Sequence, residues 1–367
     1  MLKTKIYIFH PYSKIGGADL SISRLINNLN HKKFDFTFIS LGKPAIKHLL
    51  KKKINFINLN CNRTFQCIFK IRQIINDDSL INKNYKKVIF ISNQNFANVV
   101  SIISLIKINY IKKILIDRNN PIELDIIKSY KNKIIKFLIK LTYPHADKVI
   151  GISKDLSKDL QKLSKTKVET IYNPSFDKSI LKFKKIKKSK RLFNKKIILS
   201  VARFEKQKNH LMLLKAFKLA SQKINAHLIL IGYGSLHEQI KEFIKKENLS
   251  DRVSIVEKPS NIFGYYKIAD LFVLTSYYEG FGNVLVEAAI NKIPIISTNC
   301  KSGPKEILFN GKYGDLVKIN DYKKLSLLIC KNIEKKNKSK INLMHKSLKR
   351  FSIKNHINKY EKIFDEI

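Results

Sequence analysis

The sequence predicts an α/β protein made of two doubly wound domains, each a parallel sheet flanked by helices. Three observations carry this. Short apolar runs of strand length alternate with stretches of helical period along all 367 residues, a pattern that calls for a parallel sheet covered on both faces. Glycine turns follow strands at Gly16-Gly17, Gly232-Tyr233-Gly234 and Gly280-Phe281-Gly282, each leading into a helical segment, as at the start of a doubly wound fold. The lysine-rich, weakly patterned stretch Lys178–Lys196 divides two such series, and the length suffices for two cores. Expected domains are therefore 1–180 and 181–345, with 346–367 as a closing helix.

In chain order, Ile6–Phe9 reads as the first strand. After the glycine pair, Leu20, Ile22, Leu25, Ile26 and Leu29 recur at helical spacing. The pair lacks the G-x-G-x-x-G dinucleotide spacing. Phe36–Leu41 and Asn55–Leu59 read as strands, with a short helix over Ala45–Lys52 between them. Phe65–Ile75 is helical, Lys87–Ser92 a strand, Phe96–Ile106 a helix. Lys113–Asp117 is a strand ending in Arg118-Asn119-Asn120-Pro121, and ligands of open α/β sheets bind beyond such carboxyl ends. A helix from Lys128 to Tyr143 sets Tyr130, Ile134, Phe137, Leu138 and Leu141 at one spacing and Lys133, Lys136 and Lys140 at another. It reads either as a domain helix with an apolar core face or as a basic amphipathic helix for an anionic bilayer. Strands over residues 148–153 and 168–172 complete the first series.

The second series opens with Ile197–Val201, followed by Arg203, Lys208 and His210. His227–Ile231 is a strand running into Gly232-Tyr233-Gly234 and the helix Leu236–Glu247. Val253–Val256 is a strand and Ile262–Ala269 a short helix. The near-continuous apolar run Leu271–Leu274 is typical of a buried parallel strand. It leads through Glu279-Gly280-Phe281-Gly282-Asn283 into the helix around Val284–Ala289. Glycines let backbone N–H groups approach a ligand, and a following helix offers free donors and a positive dipole end. The turn is thus suited to phosphate. Gly314–Val317 reads as a strand, Lys323–Ile333 and Ser352–Ile367 as helices.

Net charge is +44, from 72 basic and 28 acidic residues. Such an excess first suggests nucleic acid or an anionic membrane. It is spread evenly, 33 basic against 12 acidic residues in 1–180 and 39 against 16 thereafter, with no basic tail. No RNA- or DNA-binding signature is present, and aromatics are not interleaved with a basic stripe. The four cysteines show neither metal-ligand spacing nor disulfide density, which is expected of a reduced, cytosolic protein. The N-terminal apolar run is too short for a signal peptide, and no run has the length of a spanning helix.

Glu279 and Glu287 stand at E-x7-E spacing, between Ala269-Asp270-Leu271-Phe272-Val273-Leu274 and Ile293–Thr298 with Ser302-Gly303-Pro304-Lys305-Glu306-Ile307-Leu308. With Arg203 and Lys208, these motifs resemble retaining glycosyltransferases of family 4, strongly over the second half and loosely over the first. The resemblance implies a GT-B fold: two Rossmann-like domains facing a cleft, the C-terminal helix crossing back to the first. It implies that Glu287 binds the nucleotide's ribose. Glu279 with Gly280, Phe281 and Gly282 would hold sugar and diphosphate, Arg203 and Lys208 the diphosphate, and Gly16, Gly17, Gly232 and Gly234 would line the donor side. Many members carry a histidine where this chain has Arg118. The chain resembles instead a subgroup with Arg-Asn, found in surface-polysaccharide and lipid-linked oligosaccharide pathways, and Arg118 would hold an acceptor phosphate or a donor hydroxyl.

No Asp-x-Asp motif is present, so the expectation is transfer without metal or other cofactor. A hexose or N-acetylhexosamine would pass from a nucleotide sugar, read as UDP-linked, to a lipid-linked saccharide. The protein would be cytoplasmic, peripheral on the anionic inner face of the membrane, with no nucleic-acid partner. The alternatives are a nucleotide-sugar epimerase or hydrolase of the same fold, a catalytically silent protein of that fold acting as a partner, and a basic nucleic-acid-binding protein.

Overall fold

A computed structural model describes residues 2–11, 16–77, 85–126, 129–187 and 194–367. The chain divides into two units, Met1–Pro174 with Ile353–Ile367, and Ser175–Ser352. The boundaries expected near 180 and 345 fall a few residues from these. The lysine-rich boundary stretch lies partly outside the described residues, at 188–193.

In the first unit, β1 (Lys3–Phe9), β2 (Phe34–Ser40), β3 (Asn55–Asn58), β4 (Tyr85–Asn93), β5 (Ile111–Asp117), β6 (Lys148–Gly151) and β7 (Val168–Thr170) form one parallel sheet ordered β3-β2-β1-β4-β5-β6-β7. In the second, β8 (Lys196–Val201), β9 (Ala226–Ile231), β10 (Val253–Val256), β11 (Leu271–Leu274), β12 (Ile295–Thr298) and β13 (Asp315–Val317) are ordered β10-β9-β8-β11-β12-β13, again all parallel. These are the two doubly wound α/β sheets expected. Each has one switch point where the strand order reverses, β1/β4 in the first unit and β8/β11 in the second. Crevices outside the carboxyl ends of such strands are where ligands bind.

The strands are apolar because both faces are covered. β9, for example, is buried along its whole length. The helix His210–Ala220 contributes Met212, Leu213, Leu214, Ala216 and Phe217 to the second core. Its sequence is apolar nearly all round, so it shows no single face and was not foreseen as a helix. The helices Lys154–Ser164 and Lys338–Ser347 were missed for the opposite reason. The first buries only Leu156 and Leu160 among its apolar residues, and the second only Met344. The helix expected over Ala45–Lys52 is a single 3-10 turn, Ala45–Leu49, which starts after Pro44.

The helix Ile353–Glu366 packs on the first unit. Phe364 meets Phe34 edge-on, ring centroids 5.5 Å apart. Lys87 Nζ donates to the Phe364 carbonyl at 2.7 Å, and His356 Nδ1 lies 2.9 Å from the Tyr172 carbonyl oxygen.

The pattern leaves open which face of one helix turns inward. The helix predicted from Lys128 runs Tyr130–Thr142, capped by Ser129, whose side chain accepts from Asn132 N; Lys128 itself lies outside the described residues. Its core side is Ile135, Ile139 and Thr142. Tyr130, Ile134, Phe137 and Leu141, read as a possible core face, are exposed. Two apolar stripes share this helix, and periodicity cannot say which of them the sheet takes.

Candidate active site

The second unit's switch point is built by three strand-end segments tied together by hydrogen bonds. After β8, the 3-10 turn Lys206–Lys208 ends at Asn209, which is left-handed at φ 49°. The chain after β11 is laced to this turn. Thr275 Oγ1 donates to the Lys208 and Asn209 carbonyls, each at 3.0 Å. Tyr277 N donates to the Gln207 carbonyl at 2.8 Å, and Gln207 Nε2 to the Tyr278 carbonyl at 2.9 Å. β12 joins through Thr298 Oγ1, which donates to the Ser276 carbonyl at 2.6 Å.

This lacing sets Lys208 against Glu279. Nζ to Oε1 is 2.6 Å, and Ser276 Oγ donates to the same oxygen at 2.6 Å. Cys300 lies close enough that Glu279, after burial, helps push its thiol up to about 12, so it is no thiolate nucleophile. His210 packs edge-on against Phe204 at 4.9 Å and is pushed down to about 4 by burial, with the Lys208 charge adding. It is therefore neutral at pH 7, and Lys208 and Arg203 are the cations of this site. Arg203 follows β8 with its side chain exposed.

The helix Asn283–Ile290 begins at Gly282, whose φ of +95° favours glycine. Phe281 does not face out. Its ring is buried and packs T-shaped on Phe351, centroids 5.2 Å apart, so only its main chain is placed to meet a ligand. Gly303 explains the Ser302-Gly303-Pro304 signal. Its φ is +66°, and a Cβ there would overlap the Phe281 carbonyl oxygen. Gly303 thus holds the 280–282 turn from behind. One turn into the helix, Glu287 Oε2 accepts a 2.9 Å hydrogen bond from the buried Tyr266 hydroxyl, which fixes the carboxylate's orientation.

Gly232 and Gly234 have a packing reason to be glycine. A Cβ on Gly232 would overlap the Ala202 carbonyl oxygen, and one on Gly234 the Phe204 main chain. They let the β9 turn lie directly on the β8 turn.

Gly16, Gly17 and Arg118 belong to the first unit. Gly16 N donates to Asp19 Oδ2 at 2.9 Å, opening the helix Gly17–Asn28. Among the described residues, a Cβ on Gly16 would meet only that Asp19 oxygen within 4 Å. The rest of this loop, residues 12–15, lies outside the described residues. Arg118 is buried at the end of β5. Its Nε and Nη2 donate to Asn93 Oδ1 at 3.2 and 3.1 Å, and Nη1 to Asn173 Oδ1 at 2.9 Å. Behind it, Asp117 Oδ2 accepts from Tyr143 OH at 2.6 Å, and Asn98 Nδ2 donates to that hydroxyl at 3.1 Å. Burial pushes Asp117 up to about 7 against these hydrogen bonds. The sequence did not mark Asn93, Asn98, Ser276 or Gln207. Single polar residues at strand ends carry no spacing signal.

Among the described residues, no three His, Cys, Asp or Glu side chains converge as a metal-binding group.

Two parallel doubly wound sheets in tandem, the second with a cation–carboxylate pair and a glycine-turn helix start at its switch point, define the GT-B class of transferase. A family model described as glycosyl transferases group 1 matches residues 182–347. An uncharacterized glycosyltransferase of Methanocaldococcus jannaschii is 31% identical over 320 residues, covering 78% of this chain and 77% of that protein. The N-acetylgalactosamine-N,N'-diacetylbacillosaminyl-diphospho-undecaprenol 4-alpha-N-acetylgalactosaminyltransferase of Campylobacter jejuni is 26% identical over 88% of this chain and 87% of its own length. Among solved structures, Anabaena HepE in complex with UDP and glucose matches at TM-score 0.79 and 20% identity, covering 99% of this chain and all of that one. The chain belongs to the glycosyltransferases.

Proposed function

We propose that this glycosyltransferase moves a hexose or N-acetylhexosamine from a UDP-sugar to a lipid-linked saccharide acceptor, with retention of anomeric configuration and without metal. The observation that carries the reading is the Lys208–Glu279 pair at 2.6 Å, at the β8/β11 switch point and beside the glycine turn that opens the helix Asn283–Ile290. A departing nucleoside diphosphate gathers negative charge, and Arg203, Lys208 and that helix start would offset it. Arg supplies a planar fork and Lys a point charge. Glu279 would accept hydrogen bonds from the donor sugar and, with the main chain of 280–282, fix it. Glu287, oriented by Tyr266, would take the ribose hydroxyls. Gly16 and Gly17 would contact donor phosphate or acceptor, and Arg118 an acceptor phosphate or a donor hydroxyl. The Campylobacter relative's name, with its undecaprenol-linked acceptor, supports the acceptor class, and the UDP in HepE supports the nucleotide.

The same reading puts the enzyme at the anionic cytoplasmic face of the membrane. No helix among the described residues is long and apolar enough to cross one. The test is nucleotide release from a panel of UDP- and GDP-sugars with a polyprenyl-diphosphate-linked saccharide, with and without EDTA, followed by NMR of the new anomeric centre. A strict metal requirement or an inverted product would overturn the mechanism, and no release from any donor would overturn the reading itself.

A further inference from the structure

We infer that one helical face of the first unit is a hydrophobic docking surface for an anionic lipid bilayer, held by inserted side chains as well as by lysine charge. The inference rests on the lipid-linked acceptor proposed above. On the helix Tyr130–Thr142, Tyr130 is 85% exposed, Ile134 58%, Phe137 60% and Leu141 52%. At 3.6 residues per turn the four fall within about 60° of one another, roughly opposite the core residues Ile135 and Ile139. The exposed Lys133 and Lys140 lie about 80° to one side of the stripe, and Lys131 about 90° to the other. Residues 129–145 carry four lysines and no acidic residue. Apolar residues outermost with basic residues flanking them is the arrangement of a helix lying in the membrane interface. Long lysine stems can reach headgroups while the stripe enters the acyl boundary.

A second element extends the surface. Phe65 and Phe69, next to and within the helix Cys67–Asp77, are 59% and 81% exposed, with Arg63 and Lys70 exposed beside them. The helix Asn95–Ser104 packs against both this helix and Tyr130–Thr142, so the three form one layer. With helices packed 8–10 Å apart, the two stripes are roughly 20 Å apart. A soluble unit gains nothing from two aromatic-bearing stripes in one helical layer. A second protein copy carrying the same lysine-flanked face would bring like charge against like, whereas an anionic bilayer complements it. The stripe begins at Tyr130, soon after the Arg118 end of β5, so docking here keeps the membrane near the part of the site proposed for the lipid-linked acceptor.

The experiment is flotation with phosphatidylglycerol–phosphatidylethanolamine vesicles and with phosphatidylcholine vesicles, at low and high salt. The proteins are wild type, Phe69→Ser/Ile134→Ser/Phe137→Ser, and Lys131→Gln/Lys133→Gln/Lys140→Gln. The chain contains no tryptophan, so Phe69→Trp and Phe137→Trp each add a single fluorophore. Expected is at least a tenfold loss of partitioning for the serine variant at both salt concentrations, and a loss for the lysine variant only at low salt. Both tryptophans should shift to the blue on anionic vesicles and be quenched by brominated acyl chains. Unshifted tryptophans, or serine-variant binding equal to wild type, would overturn the inference. So would sedimentation showing a wild-type dimer that the serine variant breaks, since the face would then serve a second copy. Should the serine variant unfold, the tryptophan readout decides alone. Nucleotide release with a water-soluble, short-prenyl acceptor should be unchanged in all these variants. Absence of release in wild type would sink the function proposed above while leaving the vesicle result standing.

Discussion

Glu279→Gln should tighten the binding of free UDP while lowering turnover. In the resting site the Glu279 carboxylate already neutralises Lys208, with Nζ and Oε1 2.6 Å apart and side chains only 14% and 8% exposed. A diphosphate arriving at Lys208 must therefore contend with a like charge a few ångströms away. At about 5 Å and an effective dielectric of about 20, two unit charges repel by roughly 3 kcal/mol, and ionic screening and relaxation reduce this to about 1–2. Removing the charge while keeping the amide's shape should thus improve the UDP Kd by roughly tenfold. Turnover should fall on the order of 10²-fold, because Gln is a poorer acceptor for the sugar than a carboxylate. Lys208→Met should do the opposite to binding, weakening UDP by a similar factor. It should also lower stability by about 2–3 kcal/mol, less than a fully buried broken pair because the carboxylate keeps Ser276 and some solvent. Calorimetric titration with UDP and a continuous nucleotide-release assay measure both. Full turnover in Glu279→Gln, or UDP binding weakened as in Lys208→Met, would show that the carboxylate does not sit beside the diphosphate.

Glu287→Gln should weaken UDP about tenfold with little change in turnover at saturating donor, and Tyr266→Phe should produce a smaller shift in the same direction, both read by titration. Gly303→Ala combines a positive φ with overlap against the Phe281 carbonyl, so it should cost about 3 kcal/mol or more and lower Tm by roughly 6–12 °C, read by calorimetry. Asp117 is raised in the folded state from 3.8 to about 7. The folded form therefore holds its proton longer than the unfolded one, and stability is lost as pH rises from about 4 through about 7. Asp117→Asn should accordingly raise Tm at pH 8 relative to wild type and change it little at pH 4; an equal effect at both pH values would contradict the raised carboxyl. Arg203→Lys should still lose on the order of tenfold in turnover, since a point charge does not replace a fork on a diphosphate, and wild-type kinetics in that variant would remove Arg203 from the site.

Much of this was legible before any coordinates. The strands announced themselves as apolar runs of fixed length, because a parallel sheet covered on both faces leaves no polar alternation to confuse. Glu279, Glu287, Arg203 and Lys208 stood out by spacing and resemblance. What the sequence could not show was why Lys208 and Glu279 meet. Lys208 reaches Glu279 because Thr275, Gln207 and Thr298 tie three strand ends together, and such through-space bonds leave no periodic trace. Nor could it orient the helix Tyr130–Thr142. Ile135 and Ile139 make as good an apolar pair as Ile134 and Leu141, and only the neighbouring helices decide which pair is buried.

The charge excess becomes informative once the arginines are separated from it. In a chain with 72 basic residues, lysine is the background, and an arginine marks a place where geometry matters as well as charge. Four of the described arginines donate a guanidinium N–H to a main-chain carbonyl: Arg24 to Pro174, Arg72 to Ile106, Arg252 to Ser221 and Arg350 to Ile307. Arg118 uses its fork on two asparagine amides; burial pushes its pKa down, and the Asp19 charge only partly offsets this. A buried guanidinium held by amide oxygens is oriented without a direct ion pair, a costly arrangement that a bound anion would relieve. Arg203 and Arg63 are exposed and outside that set, the first following β8, the second beside Phe65 at the proposed membrane face. Among the described residues, each arginine outside the structural set therefore sits where the proposed reaction or its membrane would bring a phosphate.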